Sequence, residues 1–199
     1  MKKPLHLIYI PGLGDHRNKG QRWAVSTWCW WGVEAEFFLM NWADKETWEL
    51  KFERLLARID ELAKNGESVA LVGASAGASA AINAFAARKD VVAGVVCVAG
   101  KINRPKAIRE HYKQTDPAFV TSVVACQQAL ASLTAKDRAR ILSRFAVFDG
   151  VVTTSDSRIP GARNRFTPMI GHPTTIAFQL IFGAPGFIRF LKQTTLGIK

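Results

Sequence analysis

The chain has 199 residues, 48% of them hydrophobic, which is enough for one sizeable core and requires no second domain. Lys and Arg number 27 against 16 Asp and Glu, a formal net charge of +11, but the cations are scattered and no nucleic-acid module signature accompanies them. Solvated surface charge is therefore expected rather than a nucleic-acid partner, and no apolar run approaches the ~18 to 20 residues of a membrane-spanning helix.

Residues 5–10 are an apolar run stopped by Pro11-Gly12, read as a first core strand rather than as a leader behind Met1-Lys2-Lys3. The loop Pro11-Gly12-Leu13-Gly14-Asp15-His16 then lies at a strand's carboxyl end, where ligand sites of parallel sheets form. Its glycines let a backbone amide, that of Leu13, approach a reacting group, with Gly12, Gly14 and His16 as candidate substrate contacts; an ordinary strand-to-helix turn is the plainer alternative.

Residues 21–31 read as a helix carrying Trp23, Trp28, Trp30 and Trp31, and residues 34–42 as the next strand. The tryptophans are expected in the core, with Trp42 nearest a pocket because it ends a strand. Residues 44–64 place Trp48, Phe52, Leu55, Leu56, Ile59 and Leu62 at spacings of three and four, an amphipathic helix terminated by Asn65-Gly66.

The stretch 67–88 organises the rest. An apolar strand (69–72) runs into Gly73-Ala74-Ser75-Ala76-Gly77 and then into an Ala-rich helix. A serine at the apex of such a turn has its hydroxyl pushed outward, the glycines remove colliding side chains, and the Ala76 amide opens the following helix, where a developing oxyanion is favoured. Strand–turn–helix context distinguishes this from a chance G-x-S-x-G.

Residues 91–98 are nearly continuously β-branched, as in a strand buried on both faces. Residues 100–117 crowd Lys101, Arg104, Lys106, Arg109, His111 and Lys113 after a strand end, and 101–135 is a candidate small cap over the site. Helices are expected over 118–133 and 134–142, the second capped by Thr134, then a short strand over 145–148. Asp149 follows it directly. A last strand over 165–170 leads to Gly171-His172 and a final helix from residue 174.

Ser75, Asp149 and His172 thus all fall at strand ends that a parallel sheet gathers on one edge, where serine attacks, histidine takes its proton and aspartate orients the imidazole. Asp156 competes as the acid, but from it only eight residues (157–164) would remain for a parallel crossover, against fifteen (150–164) from Asp149. His6 reads as strand packing, and His16 and His111 as loop positions. Cys29, Cys97 and Cys126 lack metal-ligand spacing and are expected to be buried free thiols of a cytoplasmic protein.

In this chain order the sequence resembles the α/β-hydrolase superfamily, specifically small lipase- or esterase-like members, on the Pro11–Gly14 loop, the Gly73–Gly77 turn, Asp149-Gly150-Val151-Val152, Ile159-Pro160-Gly161-Ala162 and Gly171-His172. Pro11 stands where the family often has His, and Thr153 where many members have Pro. The resemblance implies an α/β fold of three layers with a six-stranded parallel sheet in the order 2-1-3-4-5-6, a minimal version without the family's first two strands. It also implies one domain over 1–199, a small-molecule acyl substrate, and no cofactor or metal. A fold-sharing protein of low turnover that binds a partner through its basic surface is the rival expectation.

Overall fold

In the computed structural model, residues 5–196 are described; Met1-Lys2-Lys3 lies outside them. Six strands form one sheet: β1 (Leu5–Ile10), β2 (Val33–Phe37), β3 (Ser68–Ala74), β4 (Val92–Val98), β5 (Ile141–Phe148) and β6 (Arg163–Ile170). All neighbours pair in parallel, in the order β2-β1-β3-β4-β5-β6. β1 and β4 are buried along their whole length, so their unbroken apolar runs are what a strand covered on both faces demands.

The helices are α1 (Lys19–Ser26), α2 (Trp48–Lys64), α3 (Ala76–Ala87), α4 (Glu110–Thr115), α5 (Pro117–Ser132), α6 (Ala135–Arg138), α7 (Thr154–Ser157), α8 (His172–Ile181) and α9 (Ala184–Leu196). One core layer joins Ile8, Ile10, Val69 and Leu71 to Leu55, Ile59 and Leu62 of α2 and to α3 and α5. The other joins Leu7, Tyr9, Ala70 and Val96 to Trp28, Leu180, Phe187 and Leu191. Three α/β/α layers result, the architecture that alternating strands and helices imply.

α2 starts at Thr47, whose side chain accepts from the Leu50 amide, and ends at Asn65 with Gly66 in a left-handed conformation (φ 76°). α3 can lie close to the sheet because its residues are small. α5 packs on it through the buried Ser79–Ser122 hydroxyl pair (2.7 Å) and Asn83 Nδ2 donating to the Ser122 carbonyl (2.8 Å).

Several elements depart from their expected form. The 21–31 helix is α1 followed by a 3-10 turn over Thr27–Trp31. It has one face to bury, and Trp28 takes it, set edge-on between Tyr9 and Phe187, while Trp23, Trp30 and Trp31 are exposed rather than core. Cys29 on the same turn is also exposed; only Cys97 and Cys126 are buried.

β2 stops at Phe37, because its ladder partner β1 reaches Pro11, which has no N–H to continue pairing; the Phe38 amide donating to Tyr9 is the last link. The 134–142 helix shrinks to α6, held by a Thr134–Asp137 capping box, because Ile141 and Leu142 are needed as partners for Val95 and Val96. β6 begins two residues before the expected 165, and α8 begins at His172 itself.

Among the described residues no single helix is long and apolar enough to cross a membrane. α8 and α9 would suffice only together, but they are bent by 65°, and Ile176, Leu180, Phe187 and Leu191 are buried against the sheet.

Candidate active site

The carboxyl edge of the sheet is where the backbone is most strained. The four non-glycine residues with positive φ among those described, Asn41, Ser75, Ala99 and Arg104, all follow strands there. Ser75 sits at φ 51°, ψ −118°, between β3 and α3. Its amide donates to the Val98 carbonyl (2.9 Å), and its carbonyl accepts from the Lys101 and Ala78 amides (3.0 and 3.1 Å), so the turn is fixed on both sides.

The surrounding glycines are steric requirements. A side-chain carbon on Gly77 would fall 2.1 Å from the Ile10 carbonyl oxygen, and one on Gly73 2.5 Å from the Gly77 carbonyl oxygen. One on Gly12 would fall 2.8 Å from Ser75 Cβ, so the loop after β1 rests directly on the serine.

His172, at the start of α8 behind Gly171 (φ 91°), places Nε2 2.9 Å from Ser75 Oγ. Its Nδ1 lies 2.7 Å from Asp149 Oδ2. Asp149 follows β5 and is nearly buried; its Oδ1 accepts from the Val151 and Val152 amides at 2.8 and 2.9 Å. Burial pushes its pKa up, but the bonds from His172, Val152 and Val151 outweigh this and hold it below the usual carboxylate range. A carboxylate can only accept, so Nδ1 is the donor of that pair, and the bond turns the ring so that Nε2 faces the Ser75 hydroxyl.

Asp156 is bonded to other partners. Its Oδ1 pairs with Lys101 Nζ at 2.6 Å and its Oδ2 closes a capping box with Thr153 on α7. Its carbonyl also accepts from the Ile102 and Asn103 amides, pinning the base of the 101–117 segment.

Ser75 and His172 open into a cleft of about 450 Å³. Gly12, Leu13 and Ala76 line it. Among the described residues no backbone acceptor is paired with the Leu13 amide, and the Ala76 amide is at the first position of α3, where a helix leaves its donors unpaired.

Three expected substrate contacts do not line the cleft. Gly14 (φ 74°) starts the 3-10 turn Asp15–Arg17, and His16 on that turn is exposed. Trp42 is fully buried behind the loop, its Nε1 donating to the Pro11 carbonyl, because the chain folds inward after β2 instead of running on as a strand. His111 is exposed and likewise outside the lining.

Sequence reasoning missed Asn18, Gln21, Tyr112 and Ile176, which do line it. Ile176 was legible in principle, one helical turn after His172. The others depend on how loops fold back.

Among the described residues one group has the geometry to hold a metal ion: His6, Glu34 and Glu67, with donor atoms within 4.8 Å of one another. It lies toward the amino-terminal ends of β1 and β3, away from Ser75. His6, expected as strand packing, is buried there among Glu34, Glu36 and Glu67.

The sheet order, the turn carrying Ser75 and the layers on both faces define the α/β-hydrolase fold. No protein-family model matches the sequence, and no curated protein matches it. Solved structures do. The chain is similar to a carboxylesterase structure from Nitrososphaera gargenis (TM-score 0.71, 13% identity, 97% of this chain and 93% of that one). It is similar also to Est1E from Butyrivibrio proteoclasticus (0.68, 14%, 98% and 90%) and to the monoacylglycerol lipase of Paleococcus ferrophilus (0.60, 12%, 95% and 94%). At such identities the likeness is one of fold.

Proposed function

We propose that this chain is a serine hydrolase that cleaves a carboxylic ester through an acyl-enzyme intermediate. The observation that carries the reading is the continuous path from Ser75 Oγ through His172 to Asp149, its serine end facing a cleft. The names of the structural neighbours, esterases and lipases, agree with it.

In this mechanism Ser75 Oγ attacks the ester carbonyl as His172 Nε2 takes its proton, and Asp149 stabilises the imidazolium. The Leu13 and Ala76 amides receive the tetrahedral oxyanion. Collapse expels the alcohol, which leaves with the proton from His172. Water then repeats the sequence on the acyl-serine, releasing the carboxylic acid and restoring Ser75. No metal or cofactor takes part. Residues 101–135 act as a small cap, with Arg104, Ile108, Tyr112 and Phe119 on one side of the cleft.

A fluorophosphonate probe tests this. Wild type should be labelled on Ser75 and hydrolyse activated short-chain esters; Ser75→Ala should do neither while keeping its fold. Labelling elsewhere, or undiminished turnover in Ser75→Ala, would sink the mechanism. A low-turnover interaction protein would resist labelling altogether.

A further inference from the structure

The cleft carries an imbalance of charge that ester hydrolysis does not require. Its lining includes Lys101, Arg104 and Arg109 but, among carboxylates, Asp156 alone. Lys101 and Asp156 neutralise each other in a buried pair at 2.6 Å. The two guanidinium groups are left over. Among the described residues the arginines paired with carboxylates are Arg54, Arg58, Arg88 and Arg140.

Arg104 is braced, not loose. Its Nη1 donates to Ser155 Oγ (3.0 Å) and Thr153 Oγ1 (3.3 Å), neutral partners that fix the group without cancelling its charge. Its backbone is held at φ 56°, a conformation rare for a long side chain, with its carbonyl accepting from Lys101 Nζ at 3.3 Å. Arg104 and Arg109 are exposed, so their charges are reachable from solvent, and Ile108, Phe119 and Ile176 supply the apolar part of the same lining.

We propose that the cleft selects esters bearing an anionic group, a carboxylate or a phosphate, which docks on Arg104 and Arg109 while the ester carbonyl lies at Ser75. The proposal rests on the ester-hydrolase reading above and names its substrate class. A guanidinium presents paired donors in a plane, matching the paired oxygens of either anion. The overall charge of +11 reinforces capture at a distance.

Two matched substrate pairs test it. The first is 4-nitrophenyl butyrate against the 4-nitrophenyl monoester of glutaric acid, with the carboxylate on the acyl side. The second is a monoacylglycerol against the same acylglycerol 3-phosphate, with the anion on the alcohol side. In at least one pair the anionic ester should have the higher kcat/KM, by about tenfold at low ionic strength, and the advantage should shrink with added salt. Which pair shows it assigns the anion to the acyl or the alcohol side.

Replacing both Arg104→Gln and Arg109→Gln should collapse the anionic-to-neutral ratio, chiefly through KM. Lys64→Gln, an exposed cation at the end of α2, should leave the ratio unchanged. Equal or reversed rates in both pairs, or a preference that survives the double substitution, overturn the proposal while the hydrolase reading stands. No turnover of any of the four esters, with no fluorophosphonate labelling of Ser75, overturns both.

Discussion

The indole Nε1 of Trp42 donates to the carbonyl oxygen of Pro11 at 3.0 Å, tying the turn after β2 to the loop that rests on Ser75. A second tie runs beside it, the Asn41 amide donating to Asp15 Oδ2 at 2.6 Å. Trp42→Phe keeps most of the buried ring but leaves the Pro11 carbonyl without its donor. Stability should fall by ~1–3 kcal/mol. Ester turnover should fall about tenfold through displacement of the Leu13 amide, with KM little changed. Steady-state kinetics beside a urea titration check both; a stability loss with intact kcat would show that the tie does not position the loop.

The two glycines of that loop should separate activity from stability. Ala at Gly12 meets Ser75 Cβ at 2.8 Å, so serine or loop must shift, and turnover should drop by ~10²-fold. Ala at Gly14 meets nothing within 4 Å but must adopt φ 74°, which costs ~1 kcal/mol of stability. Parallel kinetics and thermal melts on the two variants should show opposite dominant effects, and similar activities in both would refute the assignment.

Asp149→Asn and Asp156→Asn should also diverge. The first takes from His172 the acceptor that sets its tautomer, and turnover should fall by ~10⁴ with the fold retained. The second leaves Lys101 buried beside a neutral amide, costing ~3–5 kcal/mol of stability, with turnover near normal wherever the protein is still folded. The reverse pattern would make Asp156 the acid.

The His6 cluster predicts a pH dependence of stability apart from that of catalysis. Burial pushes the His6 pKa down, but the carboxylates of Glu36, 3.5 Å from Nε2, and Glu67, hydrogen-bonded to Nδ1 at 2.9 Å, carry it above 6.5. Burial pushes Glu36 up, yet His6 and Arg58 bring it down from 4.5 to about 2. His6 therefore stabilises fully below pH 6.5 and ceases to do so as pH rises through its raised pKa; Glu36 stabilises above pH 4.5 and ceases as pH falls toward 2. Urea midpoints of wild type and His6→Gln should differ most between pH 4.5 and 6.5 and converge on the alkaline side. A constant difference across pH would reduce His6 to packing.

Much of this arrangement is legible because it is local. The β-branched run of β4, the 3- and 4-residue spacing of α2 and the glycines around Ser75 each follow from a few adjacent residues, and the strand-end rule places Asp149 and His172 on the same edge. What is not legible depends on distant partners. Residues 134–142 carry a helix-like pattern, but Val95 and Val96 need Ile141 and Leu142 in a strand, and pairing outweighs propensity. Trp23 and Trp30 are as apolar as Trp28, yet the helix offers one buried face. The Lys101–Asp156 pair joins residues 55 apart, and Trp42 is buried by a turn whose path no periodicity encodes.

Ser75 hangs from β3 in the middle of the sheet, whereas Asp149 and His172 both hang from the outermost pair, β5 and β6. That flank is poorly covered: Phe148, Phe166 and Ile170 are each at least 60% exposed. Sub-global opening should therefore begin there, detaching Asp149 and His172 together from Ser75, which stays locked in the core. Warming should extinguish ester hydrolysis before the helical signal is lost, and reversibly. Amide hydrogens of β6 should exchange with solvent earlier than those of β1, β3 and β4, making the edge strand a thermal fuse for the reaction.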